Sequence, residues 1–417
     1  MNRKIDTQDF QRATRDTPRE VNRRIILALM RERGPISRAD LARTMGVPRG
    51  MITTLVRELL EKGLIQEGGT AHAPRGRRPV LLQLRSHDRF AVGVDIRTRR
   101  TVLTLSDFGG EEIAREEFET LRNPDTELQE VASRVKALLA TAGAEGCEGV
   151  GVVVPGMVDS RTGRVLNAPT LGWRDVDLGA TLEARLGRTV YVERDAVACA
   201  MARMWLGEQP GERTRDFVYL IVDEGVGVGL IVNGQPVRGR NFTAGEFGHI
   251  PLDLEGPPCS CGQRGCFEAF TSESATVERY LATGSQQRRD AEPGTEEGAD
   301  APTAPERAHL SVLELANRAR AGDVAAAEAL SETGRYLGVG MAAIINALNP
   351  ARIVVGGAIT AGWEWAEERA RREIVARTLT PSAAGTPFLV DPCYPETRLR
   401  GAVALVVAPA FAAPQVA

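Results

Sequence analysis

Between Gly245 and Glu268 the chain reads GEFGHIPLDLEGPPCSCGQRGCFE, and three of its six cysteines, Cys259, Cys261 and Cys266, fall within eight residues. His249 lies ten positions before the first of them. Three thiolates and one imidazole make a closed tetrahedral zinc set, with no open position at which water could be activated. The expected ion is structural. Gly262 and Gly265 stand between the ligands, where a chain doubling back around a metal needs backbone freedom.

GEFGH followed by CSCGQRGCFE resembles the signature of the ROK family, which unites sugar kinases with sugar-responsive transcriptional repressors. The resemblance implies that the zinc holds a loop so that neighbouring side chains face a sugar. Glu246 and Glu268 match sugar-binding glutamates of the family, and His249 matches a residue serving both metal and sugar. Carboxylates suit a polyol, because each accepts more than one hydroxyl hydrogen bond. The same two glutamates could instead brace the metal loop.

These residues need a scaffold, and 417 residues are enough for two to three domains. No apolar run approaches the roughly 20 residues of a membrane span, and the charged N-terminus lacks a signal peptide's apolar core. Few cysteines, clustered at metal-ligand spacing, also fit a reducing, cytoplasmic compartment. Residues 1–86 hold 18 Lys and Arg against 9 Asp and Glu, a net of +9 in a chain of −3, which leaves −12 on the remainder. A basic module on an acidic body is the electrostatic footprint of nucleic-acid binding.

Residues 1–18 read as a flexible arm, and 19–86 as a winged helix-turn-helix. Val21, Ile25, Ile26, Ala28, Leu29 and Met30 keep helical spacing up to Gly34-Pro35. Ser37 caps a short second helix, with Asp40 at the capping-box position and Gly46 ending it. Pro48 opens a third helix with Met51, Ile52, Leu55, Leu59 and Leu60 inward, and Gly63 stops it. Its exposed start, with Arg49, Thr53, Thr54 and Arg57, is expected in a major groove. Leu64-Ile65, a glycine pair and APRGRRPVLLQL then predict a wing whose tip arginines, Arg75, Arg77 and Arg78, hold phosphates or enter a minor groove. ISRADLARTMGVPRG and GRRP resemble the winged domain of ROK repressors, with Pro48 in place of the usual N-cap residue.

From residue 87 to 417 strands alternate with helices, which predicts an α/β body. FAVGVDI is a buried strand with TVLTLSDFGGE as its hairpin partner, and GVGVVVPGMVD and TVYVERDAVACA are read as further strands. Residues 283–307 contain no Leu, Ile, Val or aromatic residue and are expected to form a disordered surface loop. The resemblance implies the two-lobed fold of actin and hexokinases, with the ligand between the lobes.

Three segments bind nucleotide in kinases of that fold. The Asp-x-Gly-x-Thr hairpin here reads Asp95-Ile96-Arg97-Thr98-Arg99, without its glycine or final hydroxyl. The second phosphate loop reads Glu224-Gly225-Val226-Gly227-Val228-Gly229, with an acid where threonine is usual. A carboxylate about 4 Å from a phosphate charge costs on the order of 4 kcal/mol at an effective dielectric near 20. The third, Val354-Val355-Gly356-Gly357-Ala358, keeps its glycines, which serve packing equally well. The resemblance places Asp195 at the kinase's catalytic base, but the neighbouring asparagine is Arg194 and another is Thr170. Arg194 could select an anionic sugar derivative, or pair with Glu246 or Glu268 and close the pocket.

The residues together with the resemblance to ROK repressors thus imply a DNA-binding regulator, a repressor of carbohydrate genes, with structural zinc and a sugar-type effector and no catalytic residues of its own. Symmetric half-sites predict palindromic operator DNA and a homodimer or homotetramer. The rivals are a ROK hexose kinase and a DNA-bound regulator controlled by a protein partner through a vestigial cleft.

Overall fold

The computed structural model describes residues 17–70, 78–85, 88–141, 143, 146–206, 214–290 and 310–411. The N-terminal head contains α1 (Thr17–Arg33), β1 (Ile36–Ser37), α2 (Arg38–Met45), α3 (Arg49–Glu61), β2 (Ile65–Thr70) and β3 (Val80–Leu84). Ser37 caps α2 as expected: the Asp40 amide donates to Ser37 Oγ at 3.2 Å, and Asp40, at the capping-box position, accepts with its carboxylate from the Ser37 hydroxyl at 2.7 Å. Gly46 closes α2 in the left-handed region at φ 63°. Strand β1 joins the wing, giving a sheet of order β1-β3-β2 that the sequence reading did not include.

Helix α3 buries Ile52, Leu55, Val56 and Leu59, an i, i+3, i+4, i+7 stripe. Met51 lies beside that stripe and is 37% exposed, so its expected inward position is corrected. In α1 the buried stripe is Ile26, Leu27 and Met30. The helix already includes Thr17 and Pro18, and the rest of the proposed arm lies outside the described residues.

Two five-stranded sheets form the body. The first lobe contains β4 (Phe90–Ile96), β5 (Arg100–Asp107), β6 (Glu112–Glu119), β7 (Cys147–Val154) and β11 (Val190–Arg194), in the order β11-β7-β4-β5-β6. The second contains β12 (Phe217–Val222), β13 (Val226–Val232), β14 (Gln235–Pro236), β15 (Ile353–Gly356) and β16 (Phe388–Val390), in the order β14-β13-β12-β15-β16. Each is an antiparallel three-strand meander extended by two parallel strands on the side of its first strand. The lobes are therefore copies of one topology. A small sheet of β8 (Met157–Asp159), β9 (Arg164–Ala168) and β10 (Trp173–Val176) extends the first lobe.

Helices α4 (Pro124–Thr141) and α5 (Leu178–Leu186) belong to the first lobe. Helix α6 (Asp195–Trp205) touches strands of both lobes. It corrects the expected strand TVYVERDAVACA, which is extended only to Arg194. Ala196 to Ala202 are all buried, so the segment shows no amphipathic period to separate helix from strand.

The second lobe adds α7 (Phe267–Thr271), α8 (Glu273–Asp290), α9 (Val312–Arg320), α10 (Val324–Leu348), α11 (Trp363–Arg377) and α12 (Pro381–Ala384). Helix α8 runs on to Asp290, so the predicted loop at 283–307 is helical over its first turns, and 291–309 lie outside the described residues. The last helix, α13 (Tyr394–Phe411), returns to pack on β4 and β7 of the first lobe. The approach is close: a Cβ on Gly151 of β7 would stand 1.8 Å from the Ala402 carbonyl oxygen. Among the described residues, no helix is long and apolar enough to cross a membrane.

Candidate metal centre and interlobe cleft

His249 ends a single 3₁₀ turn, Phe247–His249, and Cys266 is the residue before α7. Between them the chain folds back on itself, with Cys259 N–H donating to Gln263 O at 2.8 Å and Gly265 N–H to Pro257 O at 2.7 Å. Gly265 is obligatory in this loop, since it sits at φ 65° and a Cβ there would stand 1.4 Å from Asp253 O. The ligand atoms of His249, Cys259, Cys261 and Cys266 all lie within 4.8 Å of one another. His249 Nδ1 is 3.6 Å from Cys259 Sγ, and the Cys261 and Cys266 sulfurs are 3.7 Å apart. Tetrahedral zinc with bonds of ~2.3 Å to sulfur and ~2.0–2.1 Å to nitrogen has edges of about 3.8 and 3.6 Å. The donor set fits the ion in chemistry, and these two edges match its spacing.

Glu268, in the first turn of α7, faces this loop. Its Oε2 accepts from Val226 N–H at 2.9 Å and its Oε1 from Ser260 Oγ at 2.8 Å. One carboxylate thus ties the metal loop to the start of β13. Glu246 is held differently, as the partner of Arg194. The Arg194 guanidinium is buried and also donates to the carbonyls of Val228, at 3.1 Å, and Ala244. Of the two alternatives for Arg194, this geometry is the paired one: its donors are engaged by Glu246 and backbone carbonyls. Thr170 lies exposed.

Asp195 begins α6 at the cleft. Its Oδ1 accepts from the Ala196 amide at 2.7 Å, and its Oδ2 from Arg398 Nη1 at 3.0 Å. Sequence reasoning missed Arg398, which projects from α13. Its Nε and Nη2 grip the fully buried Asp95 at 2.8–3.2 Å, and Tyr394 Oη lies 3.1 Å from Nη1. Arg97 Nε approaches Asp95 from the other side at 2.5 Å and Arg97 Nη2 donates to Pro395 O at 2.8 Å. Asp95 and Asp195 therefore share one guanidinium.

The two phosphate-type turns meet each other. Thr98 Oγ1, between β4 and β5, donates to Glu224 Oε2, between β12 and β13, at 2.8 Å. The glycines of the second turn have packing reasons: a Cβ on Gly229 would lie 2.1 Å from Ala196 O. Gly357, at φ 98°, crowds the Val222 carbonyl in the same way.

Asp223, beside Glu224, has its carboxyl pushed up to about 6, first by burial and next by the charge of Glu273, with Arg398 opposing. In the unfolded chain the same group titrates near 3.8. The folded protein then binds the extra proton between these values, so folding stability falls as pH rises through that window. Asp223→Asn is expected to flatten this fall, as read by urea midpoints across the window.

In the head, Arg49, Thr53 and Arg57 are exposed along α3 and Thr54 is half-buried. Both threonine hydroxyls bond back to the helix, Thr53 to Arg49 O at 2.9 Å and Thr54 to Gly50 O at 3.2 Å. Glu58 is turned inward to Arg19 and Arg23, while Glu61 stands 3.9 Å from Arg57 on the exposed face. Arg78 is exposed at the wing, whereas Arg75 and Arg77 lie outside the described residues.

The ROK family model matches residues 91–408, more than three quarters of the chain. This chain belongs to the ROK family. A MarR family model matches residues 24–67, within the head. The xylose repressor of Caldicellulosiruptor bescii is 27% identical over 408 residues, which is 96% of this chain and 98% of the repressor. Among solved structures, a ROK family transcriptional regulator homologous to the E. coli MLC protein superposes with a TM-score of 0.80 at 25% identity, covering 95% of this chain and 97% of that one. A ROK family glucokinase from Streptomyces griseus, bound to glucose and AMPPNP, superposes at 0.61 with 26% identity, covering 76% of this chain and 98% of the glucokinase. The ROK regulator thus runs along head and body together, whereas the ROK glucokinase leaves about a quarter of this chain unmatched.

Proposed function

We propose that this ROK chain is a DNA-binding transcriptional regulator, a repressor of carbohydrate genes, that senses a sugar or sugar derivative and does not phosphorylate it. The observation that carries the reading is a winged head joined to a body whose phosphate-type turns and paired aspartates are bonded to the protein's own side chains. Thr98 is bonded to Glu224, and Arg398 occupies both Asp95 and Asp195. An incoming triphosphate would have to separate these groups and face Glu224 and Asp223.

In this reading residues 19–86 are the DNA-binding head and 87–417 the effector domain. His249, Cys259, Cys261 and Cys266 hold zinc, which ties the loop after β14 to the start of α7. Asp195, Glu246, His249 and Glu268 face the sugar, with His249 Nδ1 turned to the metal and Nε2 the atom for a hydroxyl. Arg49, Thr53, Thr54 and Arg57 enter the major groove, and Arg75, Arg77 and Arg78 the backbone or minor groove. A homodimer or homotetramer would present paired heads to a palindromic operator.

A thermal-shift series with D-xylose, D-glucose, N-acetylglucosamine, their phosphates and Mg-ATP tests the reading. A sugar at a hundredfold excess over its dissociation constant stabilises the fold by about 2.7 kcal/mol, and ATP is expected to leave the melting temperature unchanged. ATP-dependent phosphorylation of a hexose, abolished in Asp195→Asn, would make this chain a kinase. No shift with any sugar would favour control by a protein partner. For the head, Arg78→Ala is expected to weaken operator binding and to reduce the salt slope by about 1. An unchanged slope in a salt titration would remove the wing from the interface.

A further inference from the structure

Helix α13 joins the cleft to the head. Near its start, Tyr394 and Arg398 lie in the cleft, where Arg398 contacts Asp195. Farther along, Ala402 to Ala408 share one apolar cluster with Ile26, Leu27 and Met30 of α1, and the two helices touch. An 18-residue helix is about 27 Å long and moves as a rod, so a shift at one end reaches the other. Helix α6 is locked to it, because a Cβ on Gly401 would stand 2.5 Å from Ala198 O.

The bonds of Arg398 are unequal in a way that makes one of them exchangeable. Two nitrogens hold Asp95, which is fully buried, and this grip anchors the guanidinium. The third nitrogen, Nη1, makes one bond to Asp195, whose side chain keeps 19% of its surface open at the cleft. A hydroxyl that donates to Asp195 competes with that bond alone.

We propose that Arg398 is the residue that couples ligand to DNA: it holds Asp195 when the cleft is empty, and a sugar hydroxyl that takes Asp195 as acceptor loosens this pair and shifts α13 against α1 of the head. The inference rests on the sugar-responsive reading above. Arg398 acts through Asp195 and is a positioning residue. Its energetic basis is a ligand contact that differs between two states of one element, which is what coupling between sites requires.

The test measures operator affinity with and without the sugar that gives the thermal shift, on a duplex selected by the wild-type protein from random sequence. Arg398→Gln is compared with Asp95→Asn/Arg398→Gln, which removes both buried charges together. Wild-type protein is expected to show a sugar-induced change of about 5- to 150-fold. In both variants zinc content is expected to stay, operator affinity without sugar to move to the value that the wild-type protein shows with sugar, sugar affinity to hold or rise, and the sugar-induced change to fall below about twofold. The same loss must appear in reverse, as sugar affinity that no longer depends on operator. A folded variant that keeps the full wild-type response overturns the inference and leaves the regulator reading standing. So does a double variant in which sugar affinity and coupling fall together, since that marks a structural role alone. Wild-type protein whose operator affinity ignores every sugar overturns both.

Discussion

Cys266→Ser is expected to release the metal, taking zinc content from one ion per chain to near none. Cys266 is almost fully buried and precedes α7, so its loss removes a ligand and the anchor of the helix that carries Glu268. Structural zinc supplies on the order of 10–16 kcal/mol of apparent binding free energy in zinc-finger peptides at neutral pH. Only part of that holds this larger fold together, because the loop is one element of a lobe with its own apolar core. The expected phenotype is a protein whose second lobe still folds while the stretch from Gly245 to Glu268 loses protection. Metal analysis and hydrogen exchange read the two parts separately. Cys259→Ser should match it, and either variant retaining one zinc per chain would falsify the ligand set.

Asp95→Ala is expected to destabilise the fold by roughly 3–5 kcal/mol, the usual consequence of stripping one partner from a buried ion pair. Asp95 has no exposed surface and takes four donor contacts from Arg398 and Arg97. Without it, the Arg398 guanidinium keeps only Asp195 and Tyr394 as partners. Asp95→Leu/Arg398→Met should recover part of the loss, because well-packed apolar residues often replace a buried pair with little penalty. Urea unfolding of the three proteins gives the comparison. A catalytic role for Asp95 predicts the opposite pattern, lost turnover at unchanged stability.

Local features were legible in the sequence because their causes are local. The Ser37 cap with Asp40, the stop at Gly46 and the His249, Cys259, Cys261 and Cys266 cluster each depend on spacing within about twenty residues, and the structure brings each group together. FAVGVDI was readable as a strand because it is buried on both faces, which demands a continuous apolar run. Arg398 was not readable. In YPETRLRGAVAL it looks like one more helix charge, and its partners Asp95 and Asp195 lie 303 and 203 residues away in sequence. Glu224 was noticed as a repellent for phosphate, yet its bond to Thr98 needs the lobes' relative placement, which no single segment encodes. The role of Arg194 was narrowed to two options, and only the fold could place Glu246 against it.

The return of α13 to the first lobe has a consequence for the order in which the protein is made. Strands β4 and β7 leave the ribosome early, with Gly93 and Gly151 shaped to receive Leu399, Ala402 and Val403. Translation adds about 5–20 residues per second, so the roughly 240 residues between the end of β7 and Tyr394 take on the order of 12–48 s. For that interval the nascent first lobe has an apolar face with no cover, a surface for chaperones rather than for folding. A late nonsense codon therefore damages the strands that were synthesised first, and it does so in the same stroke that removes Arg398 from the cleft.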